Sequence, residues 1–271
     1  MTDITKSIPV WLIGTHRSGT TMLSIVLDKM GCNMGWRKDR NNESTFMQKE
    51  NNRLLKVANC NWDNPSNFRW FLERPDLCQI EAESSLESMR SLSGLEFWGP
   101  KGLYRSPRID NSWGWKDPRM SITAPIWLKV FKRVKIIRVV RNGIDVAASL
   151  SNRENYFLNE NKAKRPISMR CLKIDGAYSL WKEYVEAEDN WLSSLTEAEV
   201  YNCRYEDILQ YPSDKLSEIS EFLGLKIKNF DYASFKASRR YAFIENSDLV
   251  GFYNKVKSDH IMKSYGYDKI I

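Results

Sequence analysis

The chain has 271 residues, 42% hydrophobic and 12% aromatic, which is enough to bury a full core and too varied for a fibrous or disordered protein. No uninterrupted apolar run exceeds four residues and no apolar leader opens the chain, so the expectation is one cytoplasmic domain, residues 1–271, without a membrane span. Five scattered cysteines and only two histidines, His16 and His260, argue against a disulfide scaffold and a metal site, and the net charge of +7 suits an anionic ligand but is modest for a nucleic-acid binder.

Val10–Ile13 reads as a short buried strand, Gly14 to Thr21 as a glycine-bounded loop, and the apolar positions from Met22 to Met30 as an amphipathic helix ending near Gly31. Residues 32–112 are rich in turn signals, with helices expected over 43–57 and 79–92, and are read as a substrate-side insertion. A strand end at Ser112 to Trp115, a helix from Ile122 to Phe131, a buried strand from Val134 to Val140 and a helix from Asn142 to Ser151 follow. The polar stretch 153–170 is expected to be a mobile loop, then come a long helix from Cys171 to about Leu195, a strand from Val200 to Arg204 and a helix from Pro212 to Leu223 closed by Gly224. The tail from Phe230 is mixed and carries the basic pair Arg239 and Arg240. Alternation of strand and helix predicts an α/β fold of three layers around a central, mostly parallel sheet, with an irregular, helix-rich insertion.

Gly14 and Gly19 bracket four residues between a strand and a helix, the spacing of a P-loop whose backbone N–H groups cradle a phosphate. Thr20 stands where a nucleotide-hydrolysing loop carries lysine, the cation being Arg17 inside the loop, and Arg141 ends the later strand where a magnesium-holding carboxylate is expected. A ligand with one or two anionic centres and no metal fits better than a metal triphosphate. Ser18, Gly19, Thr20 and Thr21 are its candidate holders. Arg141 and Ser149, about two helical turns apart, can grip one phosphate if the chain curls back between them.

Gly-Thr-His-Arg-Ser-Gly-Thr-Thr from Gly14, with Arg-Asn-x-x-Asp-Val-x-x-Ser from Arg141, resembles the two cofactor motifs of sulfotransferases that use 3′-phosphoadenosine 5′-phosphosulfate. The resemblance covers most of residues 8–225. It implies that the first motif wraps the 5′-phosphosulfate, that Arg141 and Ser149 hold the 3′-phosphate, and that adenosine 3′,5′-bisphosphate is the product. Tyr205-Glu206-Asp207 matches the segment whose tyrosine contacts adenine, and Lys116 in Trp115-Lys116-Asp117-Pro118-Arg119 falls at the strand-end lysine of the catalytic region. The resemblance is closer to the bacterial and Golgi-type branches, which carry arginine in the loop, than to cytosolic aryl sulfotransferases. The implied reaction moves a sulfuryl group in line to a hydroxyl or amine on a small molecule or glycan, with Arg17 and Lys116 stabilising the charge that develops.

No histidine lies near Lys116 to act as the general base. Asp117 is the adjacent candidate, although neighbours on an extended strand point to opposite faces, and Glu43, Glu50, Glu81, Glu83 and His16 are alternatives. Arg239 or Arg240 stands in for a basic segment that closes over the 3′-phosphate in the family. The aromatic group Trp62, Phe68, Trp70, Phe71, Phe97, Trp98 and Tyr104 lines an acceptor pocket or belongs to the core. Two rival readings remain, a P-loop small-molecule kinase and a non-catalytic binder of anionic ligands.

Overall fold

The computed structural model describes residues 3–100, 112–159, 166–195, 199–227, 232 and 235–271. Four strands, β1 (Val10–Ile13), β2 (Gly114–Lys116), β3 (Lys135–Val140) and β4 (Glu199–Arg204), form an all-parallel sheet in the order β2-β1-β3-β4. The run Val-Trp-Leu-Ile makes β1 because a central parallel strand is covered on both faces and has no solvent side to alternate toward. Trp11 and Ile13 enter one core with Trp115 and Ile136, while Val10 and Leu12 enter the other with Ile137 and Val139. Three layers follow from that division, as the sequence leads one to expect.

Twelve α-helices clothe the sheet among the described residues: α1 (Thr20–Lys29), α2 (Thr45–Val57), α3 (Phe68–Leu72), α4 (Pro75–Arg90), α5 (Leu95–Trp98), α6 (Met120–Val130), α7 (Gly143–Asn159), α8 (Ile174–Leu192), α9 (Tyr205–Gln210), α10 (Pro212–Leu223), α11 (Ser247–Val256) and α12 (His260–Ser264). The stretch expected to be an insertion folds as α2 to α5, and α4 begins at Pro75 because proline is well tolerated in a helix's first turn. The described part of that stretch ends at residue 100, so Tyr104 lies outside the described residues. Pro125 lies inside α6, where it cannot bond to the carbonyl of Ser121, and that carbonyl instead accepts from Trp191 Nε1 at 3.0 Å.

Two expectations shift. Residues 153–159 are not loop but the last two turns of α7, since Glu154 is buried and pairs with Arg153 while accepting from the backbone N–H groups of Ile167 and Ser168. Residues 160–165 of the expected mobile loop lie outside the described residues. The long helix starts at Ile174 after a separate 3-10 turn at Arg170–Leu172.

Candidate active site

The ends of β1 and β3 lie side by side, with Ile13 paired to Arg138, so the loop after β1 and the turn after β3 open at one edge of the sheet. The chain leaves β1 toward β2 on one flank and leaves β3 toward β4 on the other, which makes the crevice between them the switch point where open α/β sheets bind ligands. A cleft of about 650 Å³ occupies it. Its walls include His16, Arg17, Gly19, Thr20 and Thr21 from the loop, Asn41, Glu43 and Lys116 toward β2, and Arg141, Ser149, Arg153, Tyr205 and Arg239 toward β4.

Gly19 starts α1 with φ of 91°, and a Cβ there would stand 2.2 and 2.3 Å from two ring carbons of Tyr205, so only glycine lets that ring lie against the loop. No side chain caps α1, which leaves its first-turn N–H groups for an anion. Arg17 holds a left-handed backbone, φ 69°, a strain of about 1–3 kcal/mol typical of functional loops. From there its Nε donates to Ser149 Oγ at 2.8 Å, and its carbonyl accepts from Arg141 Nη1 at 3.1 Å. The two motifs, separated by more than a hundred residues in the chain, thus meet directly.

Burial, and then the charge of Arg153, lower the proton affinity of Arg17. Arg141 lies over the Tyr205 ring at 4.7 Å, and its Nη2 donates to the carbonyl of Arg239 at 3.4 Å. Buried polar atoms cluster here without a partner: Arg141 Nε, Ser18 Oγ, Thr15 Oγ1 and His16 Nε2. Such atoms are costly unless something pairs with them, and of these Arg141 and His16 line the cleft, where an anionic ligand would meet them. Ser18 lies beneath the loop rather than on the cleft wall, so its share is limited to its backbone and this inward hydroxyl.

Lys116, 2% exposed, points into the cleft, and its Nζ donates to Glu43 Oε1 at 2.7 Å, to the Asn41 carbonyl at 3.0 Å and to Thr21 Oγ1 at 3.4 Å. The second Glu43 oxygen accepts from Gln48 Nε2 at 2.6 Å and lies 3.6 Å from Arg119 Nη1. Burial raises the Glu43 pKa above its ordinary value, against the opposing pull of Lys116. Asp117 sits elsewhere. It is fully buried, its Oδ1 accepts from the Arg119 backbone and guanidinium, its Oδ2 accepts from Asn51, and it does not line the cleft. Asp117 is the first residue past β2, where the chain turns toward α6, and the carboxylate beside the lysine is Glu43.

Of the other carboxylates, Glu50 and Glu81 bind Arg53, and Glu83 pairs with Gln79 at the surface. His16 lies in the cleft wall between Trp62 and Tyr184, 4.9 and 5.6 Å between ring centres, and burial pushes its pKa well below the ordinary imidazole value. A neutral imidazole follows. Phe68, Phe71 and Phe97 are core, Trp98 packs against it and Trp70 is exposed, so among the described members of the aromatic group Trp62, beside His16, is the one next to the cleft. Arg239 reaches the cleft, whereas Arg240 stacks on Tyr241. Arg153 is a cleft residue that sequence reasoning missed; the signal for it was its place one helical turn after Ser149 on the same face of α7.

Among the described residues no helix is long and apolar enough to cross a membrane, and no group of three or more His, Cys, Asp or Glu is placed to hold a metal ion.

A family model described as the sulfotransferase family matches residues 9–229. No curated protein sequence matches the chain. Among solved structures, the chain is similar to the sulfotransferase domain from the curacin biosynthetic pathway, at 15% identity and a TM-score of 0.53 over 92% of this chain and 97% of that one. It is also similar to a Mycobacterium tuberculosis sulfotransferase, at 13% identity and a TM-score of 0.53 over 82% of this chain and 69% of that one. A third is the sulfotransferase domain of the Synechococcus olefin synthase, at 14% identity and a TM-score of 0.52 over 93% and 96%. These likenesses extend to the fold, a mostly parallel α/β sheet of the P-loop type.

Proposed function

We propose, because the chain belongs to the sulfotransferase family, that this single domain moves a sulfuryl group from 3′-phosphoadenosine 5′-phosphosulfate to a hydroxyl or amine acceptor in line and without a metal ion. The observation that carries the reading is the meeting of Arg17, Ser149, Arg141 and Tyr205 around Gly19, with Lys116 and Glu43 across the same cleft. The donor fits this wall because its two phosphate groups need separate cationic ends, and its adenine needs an aromatic face such as Tyr205. The N–H groups of Gly19, Thr20 and Thr21 with Arg17 take the 5′-phosphosulfate; Arg141, Ser149 and Arg239 take the 3′-phosphate.

The acceptor oxygen or nitrogen attacks sulfur, and the bond from sulfur to the bridging oxygen breaks. Its electron pair stays on the phosphate of adenosine 3′,5′-bisphosphate, and the acceptor's proton goes to a carboxylate. Glu43 takes that role in place of Asp117, since Glu43 alone of the two lines the cleft and its burial makes it a stronger base. Lys116 and Arg17 face the charge that builds on the bridging oxygen, a contribution worth about 3 kcal/mol per donor in comparable sites.

The test is calorimetric titration with adenosine 3′,5′-bisphosphate without magnesium, beside ATP with magnesium, on the wild type and on Arg141→Ala. Tight bisphosphate binding that weakens about 10- to 100-fold in the variant is the expected result. Binding of ATP with magnesium, and none of the bisphosphate, would return the site to the kinase reading.

A further inference from the structure

The family match ends at residue 229, yet the chain beyond it reaches back into the donor site. Asn142 follows Arg141 and starts α7: its Oδ1 accepts from the Asp145 N–H at 2.9 Å, and its Nδ2 donates to Asp145 Oδ2 at 2.7 Å. The peptide joining Arg141 to Asn142 is held at both ends. Its carbonyl accepts from Trp181 Nε1 at 3.1 Å, and its N–H donates to Glu206 Oε1 at 3.0 Å, an oxygen that also accepts from Asn142 Nδ2 at 3.0 Å.

Both carboxylates in this arrangement are in turn anchored by the C-terminal segment. Tyr267 donates to Glu206 Oε2 at 2.9 Å, and Phe243 N–H donates to Asp145 Oδ1 at 2.9 Å. Asp145 Oδ2 lies 3.5 Å from Arg141 Nη2, and Arg239, from the same segment, accepts from that nitrogen. Asn142, Asp145, Glu206 and Tyr267 are all buried, so these bonds are made away from competing water. A bidentate arginine works only while its fork is aimed, and here the aim of Arg141 is fixed through its own peptide rather than by its strand alone.

We propose that Glu206 and Tyr267 are positioning residues for the donor's 3′-phosphate: the C-terminal segment locks Glu206, Glu206 locks the peptide between Arg141 and Asn142, and that peptide aims the Arg141 guanidinium. The inference rests on the reading of Arg141 as the 3′-phosphate residue. It gives the Glu of the Tyr-Glu-Asp segment a role separate from that of Tyr205, and it makes the tail part of the binding site rather than an appendage.

Two probes separate positioning from mere packing. Adenosine 3′,5′-bisphosphate carries the group that Arg141 reads, and adenosine 5′-monophosphate lacks it. The full chain is titrated with both, as wild type, Tyr267→Phe, Glu206→Ala, Glu206→Gln and, as a control in the same tail, Tyr253→Phe, whose hydroxyl accepts from Ile270 N–H. Tyr267→Phe and Glu206→Ala are expected to weaken the bisphosphate about three- to tenfold while monophosphate binding stays within twofold. Glu206→Gln, which keeps an oxygen for Asn142, recovers most of that loss, and Tyr253→Phe changes neither. Equal weakening of both probes, or no weakening in either Tyr267→Phe or Glu206→Ala, overturns the positioning role. Should Glu206→Ala fail to fold, the single hydroxyl removed in Tyr267→Phe decides alone. A wild type that binds both probes equally refutes instead the assignment of Arg141, and that outcome is visible before any variant is made.

Discussion

Replacing Gly19 by alanine isolates the contact on which the proposed adenine end of the site depends. The added Cβ would stand 2.2 and 2.3 Å from two carbons of the Tyr205 ring, whereas carbons pack at about 3.5–4.0 Å, so the ring must retreat by more than about 1 Å. Tyr205 is buried and carries the guanidinium of Arg141 at 4.7 Å, so its retreat also disturbs the cation–π contact, worth about 0.5–1 kcal/mol. The backbone adds its own cost of about 1–2 kcal/mol for a side chain at positive φ. Gly31 supplies the control just past the other end of the same helix: its φ is 94°, close to the 91° of Gly19, but a Cβ there meets nothing within 4 Å. Urea unfolding should therefore show Gly31→Ala down by the backbone cost alone, and Gly19→Ala down by about 2–3 kcal/mol. In titration with adenosine 3′,5′-bisphosphate, Gly31→Ala should match the wild type while Gly19→Ala loses about tenfold or more, since a displaced Tyr205 and Arg141 affect base and phosphate together. Equal affinity in the two variants would refute the reasoning, because the shared backbone strain would then account for everything observed.

Glu43→Gln should lower the rate of bisphosphate release in the presence of acceptor by about 10²- to 10⁴-fold while leaving bisphosphate affinity nearly unchanged; loss of affinity to the same degree as rate would place Glu43 in binding instead. The pH profile follows from the same group. Burial raises the Glu43 pKa, and a base acts only when ionised, so kcat/KM should fall as pH drops through a value above the ordinary 4.5. Gln48→Leu removes the 2.6 Å bond that favours the ionised form, so the acid limb should move to higher pH, and an unmoved limb contradicts the assignment. Away from the cleft, Glu188→Ala strands Arg138, whose Nε it holds at 2.7 Å in the core, and should cost about 3 kcal/mol by urea unfolding, the lower part of the usual range because Asp189 remains 2.8 Å from Nη1.

The loop and the strands were legible in the sequence because their signals are local: four apolar residues, two glycines at fixed spacing, then hydroxyls opening a helix. Spacing alone offered Arg141 and Ser149 as a pair, and the resemblance strengthened it, but nothing in their own neighbourhood says that Arg17, from the loop after another strand, will reach Ser149. Asp117 was the natural candidate for a base because it adjoins Lys116 in sequence, but it lies past the end of β2, where the chain turns toward α6, and the residue that adjoins Lys116 in space lies 73 positions earlier. The expected insertion carries no period that would have singled out Glu43 from Glu50, Glu81 and Glu83. What separates them is tertiary: the latter three are spent on Arg53 and Gln79, while Glu43 faces a buried lysine. Residues 153–159 misled because charged side chains read as solvated loop, and Arg153 with Glu154 satisfy each other inside a helix.

The two chemical tasks proposed for the cleft are tied together by α1. Its first turn offers N–H groups to the donor, and its later turns hold the loop that carries Glu43: Asn42 Nδ2 donates to Ser24 Oγ at 2.9 Å and to Asp28 Oδ2 at 2.8 Å, and Lys38 pairs with the same carboxylate at 2.5 Å. Asp39 stiffens that loop from within by accepting from the N–H groups of Asn41 and Glu43 at 2.8 and 2.9 Å. From Thr20 to Asp28 the helix rises about 12 Å, a rigid length against which the base is placed relative to the donor. Lys116, from β2, bridges the two ends by touching Thr21 at the start of α1 and Glu43 in the tethered loop. The position of Glu43 is set jointly by the loop tethered to α1, by Lys116 and by Gln48 near the start of α2. In the proposed reading the 3′-phosphate is handled at the opposite flank, by the turn after β3 and the C-terminal segment.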